Sequence, residues 1–138
     1  MGDLEDSRRE RMPEGTVAIL GASNDRRKFG NKAVRAYRAQ GWIVYPVNPK
    51  EDIVEGLKAY ASIRDVPQPL DRVSVYLMPQ LGIKILGDIA AAKPHEVFFN
   101  PGSESPELLD KARALGLNAV VACSIVDIGV TPAQLPSE

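Results

Sequence analysis

Short apolar runs alternate with segments whose apolar positions recur every three or four residues, and the pattern holds from Thr16 almost to the last residue. Residues 17–20 (Val-Ala-Ile-Leu) are too few for a helix and stop at Gly21, which predicts a buried strand. Phe29, Ala33, Ala36 and Tyr37 share one face and Lys32, Arg35 and Arg38 the other, predicting a helix over 29–40 that ends at Gly41. A second strand follows over 42–45, with Pro46 and Pro49 bounding the turn after it. Residues 51–71 are mixed: a connection through Gly56, then one helical turn near 62–66 broken by Pro67 and Pro69. Residues 72–77 give a third strand. Pro79 suits the first turn of a helix carrying Leu81, Ile85, Leu86 and Ile89, which ends near Pro94. A fourth strand over 96–99 leads to Ser105, an N-cap with Pro106 after it. That helix buries Leu108, Ala112 and Leu115 and stops at Gly116, before a fifth strand over 119–122 and a short closing segment.

Strands alternating with helices predict an α/β, three-layer fold: a five-stranded, mostly parallel sheet with crossover helices on both faces. The strands are apolar almost throughout, as they must be when both faces are covered. Residues 1–14 are polar with both charge signs and read as an N-terminal tail or one short surface helix; the domain is 15–138. In such sheets a ligand sits beyond the carboxyl ends of the strands, near the point where strand order reverses. The loops that follow the strands are therefore where function is expected.

Composition narrows the classes. With 138 residues the chain fits one domain. Seventeen Lys and Arg against eighteen Asp and Glu leave no basic excess for a nucleic-acid binder. One cysteine, Cys123, excludes an intrachain disulfide framework, and with a single histidine any metal site would be mostly carboxylate. No apolar run is long enough for a membrane span, and the first residues have no apolar core of a signal peptide, so a cytoplasmic location is expected.

The loop after the first strand runs Gly21-Ala22-Ser23 and then through Arg26, Arg27 and Lys28 into a helix. Gly21 permits a sharp turn and close approach to a ligand. The amides of the following helix start can hold an anion. Arg26, Arg27, Lys28 and Lys32 face Asp25 alone, a cationic surplus in a near-neutral chain that suits a phosphate-bearing ligand. The spelling matches neither G-x-G-x-x-G nor a P-loop: position 23 is Ser, and no third glycine stands at the expected offset. The second strand is followed by Asn48, Pro49 and Lys50, not by the acid that would hold the ribose hydroxyls of NAD. A cation there would meet a phosphate on the ribose, as in NADP or coenzyme A.

The stretch from Val17 to Ser23, followed by Gly41 through Pro49 with its Pro46-Val47-Asn48-Pro49, resembles the small stand-alone CoA-binding proteins. These share a Rossmann-like domain with the succinyl-CoA synthetase alpha subunit. Tyr60-Ala61-Ser62-Ile63, Val66-Pro67, Asp71-Arg72-Val73, Met78-Pro79, Asn100-Pro101-Gly102, Gly116-Leu117 and Cys123 continue the likeness, over about residues 16–125. The resemblance implies coenzyme A or an acyl-CoA as ligand. Gly21, Ala22 and Ser23 would cradle the pyrophosphate with help from Arg26 and Lys28. Asn48, Pro49 and Lys50 would flank the adenosine, with Lys50 near the 3′-phosphate. Met78 and Pro79 would touch the adenine or ribose side, and Gly102 would let the pantetheine arm pass. The chain departs from the family pattern at Phe98-Phe99-Asn100, at Ala122 and over 125–129, toward the far end of the pocket.

The expected function is thus non-catalytic CoA or acyl-CoA binding, possible in a homodimer or beside an acyl-CoA enzyme, with no nucleic-acid or membrane partner. The alternatives are an NADP-binding oxidoreductase-like domain and a ligand-free interaction module on the same fold. His95 falls at the sheet edge away from the crevice, and no Ser-His-Asp set can be built around it. Cys123 stands at a strand's carboxyl end, where a small buried residue is the ordinary role.

Overall fold

The computed structural model describes residues 15–138, so the expected tail over 1–14 lies outside the described residues. β1 (Thr16–Leu20) leads to α1 (Phe29–Ala39) and β2 (Ile43–Val47). A small hairpin follows, β3 (Ile53–Val54) and β4 (Leu57–Lys58), then a 3₁₀ turn at Ile63–Asp65. β5 (Arg72–Val75), α2 (Pro79–Ala92), β6 (Glu96–Phe99), α3 (Pro106–Ala114) and β7 (Ala119–Val121) complete the alternation. A one-turn helix α4 (Ser124–Asp127) and a 3₁₀ turn at Pro132–Gln134 close the chain.

The main sheet has five strands in the order β2-β1-β5-β6-β7, and every pairing in it is parallel. This is the Rossmann-like α/β architecture that the alternation of elements predicts. The chain moves outward from β1 to β2, then returns to the other side of β1 with β5. Strand order therefore reverses at β1, and Gly21 stands at its carboxyl end.

Alternate residues of β1 enter opposite layers, as the two-residue period of a strand requires. Ala18 and Leu20 pack with Val73, Val75, Leu86, Ile89 and Leu108 under α2 and α3. Val17 and Ile19 pack with Val34, Tyr37 and Ile125 under α1 and α4. Ser105 caps α3 by accepting from the Leu108 amide at 3.1 Å, with Pro106 at the first helical position. No helix among the described residues is long and apolar enough to cross a membrane.

Three local expectations change. Leu115, expected in the core, is the C-cap of α3 and half exposed. Pro46 lies inside β2 instead of ending it. β2 is an edge strand, and Pro46 faces its outer side, where the carbonyl accepts from the Tyr60 amide at 2.9 Å. A missing N–H is harmless there. The connection through Gly56 is a two-residue hairpin, with Glu55 (φ 48°) and Gly56 (φ 78°) both left-handed at its tip. Such tips match the twist of the flanking strands.

Candidate functional site

Gly21 turns the chain at the end of β1 with φ +91°. Its amide donates to the Val47 carbonyl at 3.1 Å, and a Cβ there would stand 2.9 Å from the Tyr76 carbonyl oxygen. Only glycine meets both demands. A second glycine, Gly30 in the first turn of α1, faces the same turn. A Cβ on Gly30 would fall 2.1 Å from the Gly21 carbonyl oxygen, so the start of α1 rests directly on the turn. Gly30 thus does the close-packing work expected of the last glycine of a dinucleotide fingerprint, at a longer offset than that pattern allows. The loop between them, seven residues beyond Ala22, hides it from a motif search.

Two cavities, each of about 350 Å³, flank this turn, and Gly21 and Leu77 line both. The first is an apolar slot. Leu20, Val47, Pro49 and Ile63 form one wall, and Leu81 and Ile85 of α2 face them. Asn48 lines it too, but its side chain is spent on the backbone. Its Nδ2 donates to the Ala22 carbonyl at 2.7 Å, and its Oδ1 accepts from the Lys50 amide at 2.8 Å. Asn48 is therefore a brace joining the loops after β1 and β2. Ala22 is fully buried beneath it.

The second cavity lies over the start of α1. Lys28, Phe29 and Gly30 line one side; Met78, Pro101, Gly102 and Ser103 line the other. Lys28 occupies the N-cap position with no side-chain cap, and the amides of Phe29 and Gly30 meet no backbone acceptor among the described residues. These are the free donors that a helix start leaves for an anion. Met78 and Phe29 stand about half or more exposed at the rim. Gly102 turns with φ +94°, and its amide donates to Glu104 Oε2 at 3.0 Å. Pro79 opens α2 beside this cavity without lining it.

The cationic surplus of the first loop is largely absorbed inside the protein. Arg26 grips Glu55 at the hairpin tip through Nε and Nη2, at 3.1 and 2.8 Å. Hydrogen bonds from Arg26 and then from Asn31 hold the Glu55 carboxyl at about 2. Arg27 pairs with Asp25 at 3.0 and 2.9 Å, and that contact lowers the aspartate to about 2 as well. Lys32 lies over the Phe29 ring. Of the four loop cations, Lys28 alone lines a cavity. Ser23 is engaged by its own loop: Oγ accepts from the Asp25 amide at 3.0 Å, and its carbonyl accepts from Asn31 Nδ2 at 2.8 Å. Lys50 is exposed and lines neither cavity.

Of the residues expected from the sequence, the structure gathers Gly21, Asn48 and Pro49 at the slot. Gly21, Lys28, Met78 and Gly102 gather at the second cavity. Sequence reasoning missed Lys84 and Ile85 on α2, which line the slot, and the close packing of Gly30 on the turn. Leu81 and Ile85 carry the same helical spacing as core positions, and only the lining of the slot shows that they face a cavity.

Behind the second cavity a buried polar network ties β5, β6 and α4. Ser74 Oγ and Ser124 Oγ are 2.6 Å apart, and Asn100 Nδ2 donates to Ser74 Oγ at 2.9 Å. The Ser124 amide donates to Asn100 Oδ1 at 2.8 Å, and the Tyr76 hydroxyl lies 3.2 Å from Ser124 Oγ. Burial pushes the Tyr76 phenol up to about 12, so it stays protonated at neutral pH. Cys123, half-buried, precedes Ser124 and packs on the α1 side of the sheet. A third cavity, near Trp42 and Arg72, lies at the opposite ends of the strands. There Arg72 is taken up by Glu96 and Asp127 and stacks on Trp42 and Phe98.

Residues 15–129 match the model of a CoA-binding domain family. The chain is 38% identical over 73 residues to the alpha subunit of an ADP-forming acetate–CoA ligase II of Pyrococcus furiosus. That match takes in 52% of this chain and 16% of the ligase subunit, so the chain spans a small part of the curated relative. Among solved structures, a conserved hypothetical protein of Pyrococcus furiosus superposes with a TM-score of 0.76 at 30% identity, covering 82% of this chain and 98% of the other. A protein of Thermus thermophilus gives the same TM-score and identity over 92% of this chain and 96% of its own. The turn at Gly21, the two cavities beside it and the family match over 15–129 lead to one identification: the chain belongs to the CoA-binding domain family.

Proposed function

We propose that the protein binds coenzyme A or an acyl-CoA across Gly21 and carries out no chemistry on it. The carrying observation is the pair of cavities that share Gly21 and Leu77. Coenzyme A has a flat aromatic base at one end, whose faces suit an apolar slot, an extended arm at the other and a diphosphate between them. An apolar slot, a turn with free helix-start amides and a second, more polar cavity match those three parts in order. The diphosphate would lie over Gly21 toward the amides of Phe29 and Gly30, with Lys28 beside it.

The lining of the two cavities supports the absence of a reaction. Neither cavity is lined by a histidine, a carboxylate or a thiol among the described residues. The phenol of Tyr76 is held protonated, and Ser103 Oγ donates to the Asn100 carbonyl at 2.7 Å, with no base beside it. A general base needs hydrogen-bond reach to the proton it takes, and neither the Tyr76 phenol nor the Ser103 hydroxyl supplies one. A regulatory role, or service to an acyl-CoA enzyme, fits a site that holds its ligand unchanged.

Thermal unfolding with coenzyme A, acetyl-CoA, NADP and ADP tests this reading. A ligand at a hundred times its Kd stabilises the fold by about 2.7 kcal/mol, enough to raise the midpoint by several degrees. Coenzyme A and acetyl-CoA should each give such a rise, and acetyl-CoA should be recovered intact after incubation. A larger rise with NADP, or no rise with either CoA species, contradicts the proposal.

A further inference from the structure

We infer that β7, at the edge of the main sheet, is a docking strand on which a second copy of this chain pairs antiparallel, joining the two sheets into one. β7 has β6 on one side and no strand on the other. The Val97 amide donates to the Asn118 carbonyl at 2.9 Å. Main-chain groups of successive strand residues point to alternate sides, so Asn118, Val120 and Ala122 face β6, whereas Ala119 and Val121 turn their N–H and C=O outward. No strand or loop among the described residues pairs with those outward groups. The side chains are as uncovered as the backbone. β5 is buried at every position, as a strand of a covered parallel sheet should be. β7 is not: Ala119 and Val120 are half-buried, and Val121 is 46% exposed.

Proteins ordinarily blunt such an edge with a charge, a proline or a covering segment. The other edge of this sheet does so. On β2, Tyr60 pairs with Pro46 and Asn48, and Pro46 has no N–H to offer. β7 carries none of these devices among the described residues. It lies in the longest uncharged run of the chain, residues 114–126, although 25% of all residues are charged. Two copies of such an edge meet without like-charge repulsion. Its outward groups are also self-complementary, which selects a second copy over an unrelated segment. About a two-fold axis through Val120, the N–H and C=O of Ala119 meet the C=O and N–H of Val121 in the other copy, and the reverse. The two Val120 side chains then stand opposite one another as a β-branched cross-strand pair. A strand of three residues covers less than a permanent interface needs, so the dimer is reversible and depends on concentration. The crevices of the two copies open at opposite ends of the joined sheet, and docking requires no ligand in either.

Sedimentation equilibrium of the full chain over a range of concentrations, with amide hydrogen exchange at both ends of that range, tests the assignment on the natural protein, Val121→Lys and Ile53→Lys. Ile53 is 59% exposed on the β3–β4 hairpin and controls for an added surface charge. The natural protein and Ile53→Lys should rise from 15.0 kDa toward twice that mass as concentration increases. Exchange at their Ala119 and Val121 amides should slow by about tenfold once nearly all chains are paired. Val121→Lys should keep the mass of one chain, with fast exchange at Ala119 throughout. The unfolding midpoint of each variant checks that the fold is intact. A single-chain mass for the natural protein at every concentration overturns the inference. A dimer that survives Val121→Lys, or one whose Ala119 and Val121 amides still exchange fast, places the contact elsewhere and overturns it as well. Slow exchange at those amides that does not vary with concentration means that a segment of the same chain covers β7, which also overturns it.

Discussion

Gly21 and Gly30 show how little space separates the turn from the helix that follows it. The 2.1 Å distance from a Gly30 Cβ to the Gly21 carbonyl oxygen involves backbone on the far side, which cannot swing away like a side-chain tip. Gly30→Ala should therefore cost about 1–3 kcal/mol in stability and weaken coenzyme A binding, because α1 must move off the turn. Gly87, inside α2, is the contrast. A Cβ there meets nothing within 4 Å, so Gly87→Ala should stabilise by about 0.5–1 kcal/mol and leave binding alone. Urea unfolding of both variants, alongside coenzyme A titration, measures the two effects; equal stability changes would refute the packing argument. The need for glycine at position 21 is legible in the sequence because a strand run ends on it. The same need at position 30 is not, because it depends on where α1 starts after a loop of unusual length. The lining role of Lys84 is equally hidden: on a helix read only by its apolar face, an exposed lysine looks like any solvated charge.

At the scale of elements, the hairpin of β3 and β4 is the part least visible in the sequence and the most consequential for the first loop. Strands of two residues are too short for any periodicity, and Glu55 is twenty-nine positions from the Arg26 it holds. Charge counting alone therefore assigns Arg26 to a ligand, whereas the hairpin tip claims it. The longer elements are readable because short buried apolar runs, such as residues 17–20 and 97–99, stand between turns and helices of clear spacing. The Arg26–Glu55 contact makes a prediction about pH. The folded Glu55 carboxyl sits at about 2, below its ordinary value of 4.5. Its contribution is full above pH 4.5, where the unfolded chain is also ionised, and is lost as pH falls toward 2. Glu55→Gln should then be less stable than the natural protein at pH 7, by about 1 kcal/mol for a partly exposed pair, and the gap should close toward pH 2. Stability curves of the two proteins that run parallel from pH 7 to pH 2 would contradict this.

On the scale of the whole molecule, the fold separates its anchoring from its binding. The carboxyl ends of the strands carry the turn, the slot and the second cavity. The amino ends carry Arg72, whose guanidinium joins β5, β6 and α4 through Glu96 and Asp127. The network of Ser74, Asn100, Tyr76 and Ser124 links α4 to the sheet behind the second cavity. It uses Asn100 as an internal tie. That division gives the central claim a spatial signature. Backbone amide shifts followed by NMR during titration with coenzyme A test it most directly. The account predicts that Gly21, Phe29, Gly30, Leu81 and Lys84 shift together and saturate at one ligand per chain, while Trp42, Arg72 and Asp127 stay in place. Shifts centred on Trp42, Arg72 and Asp127, or none at saturating coenzyme A, would contradict it.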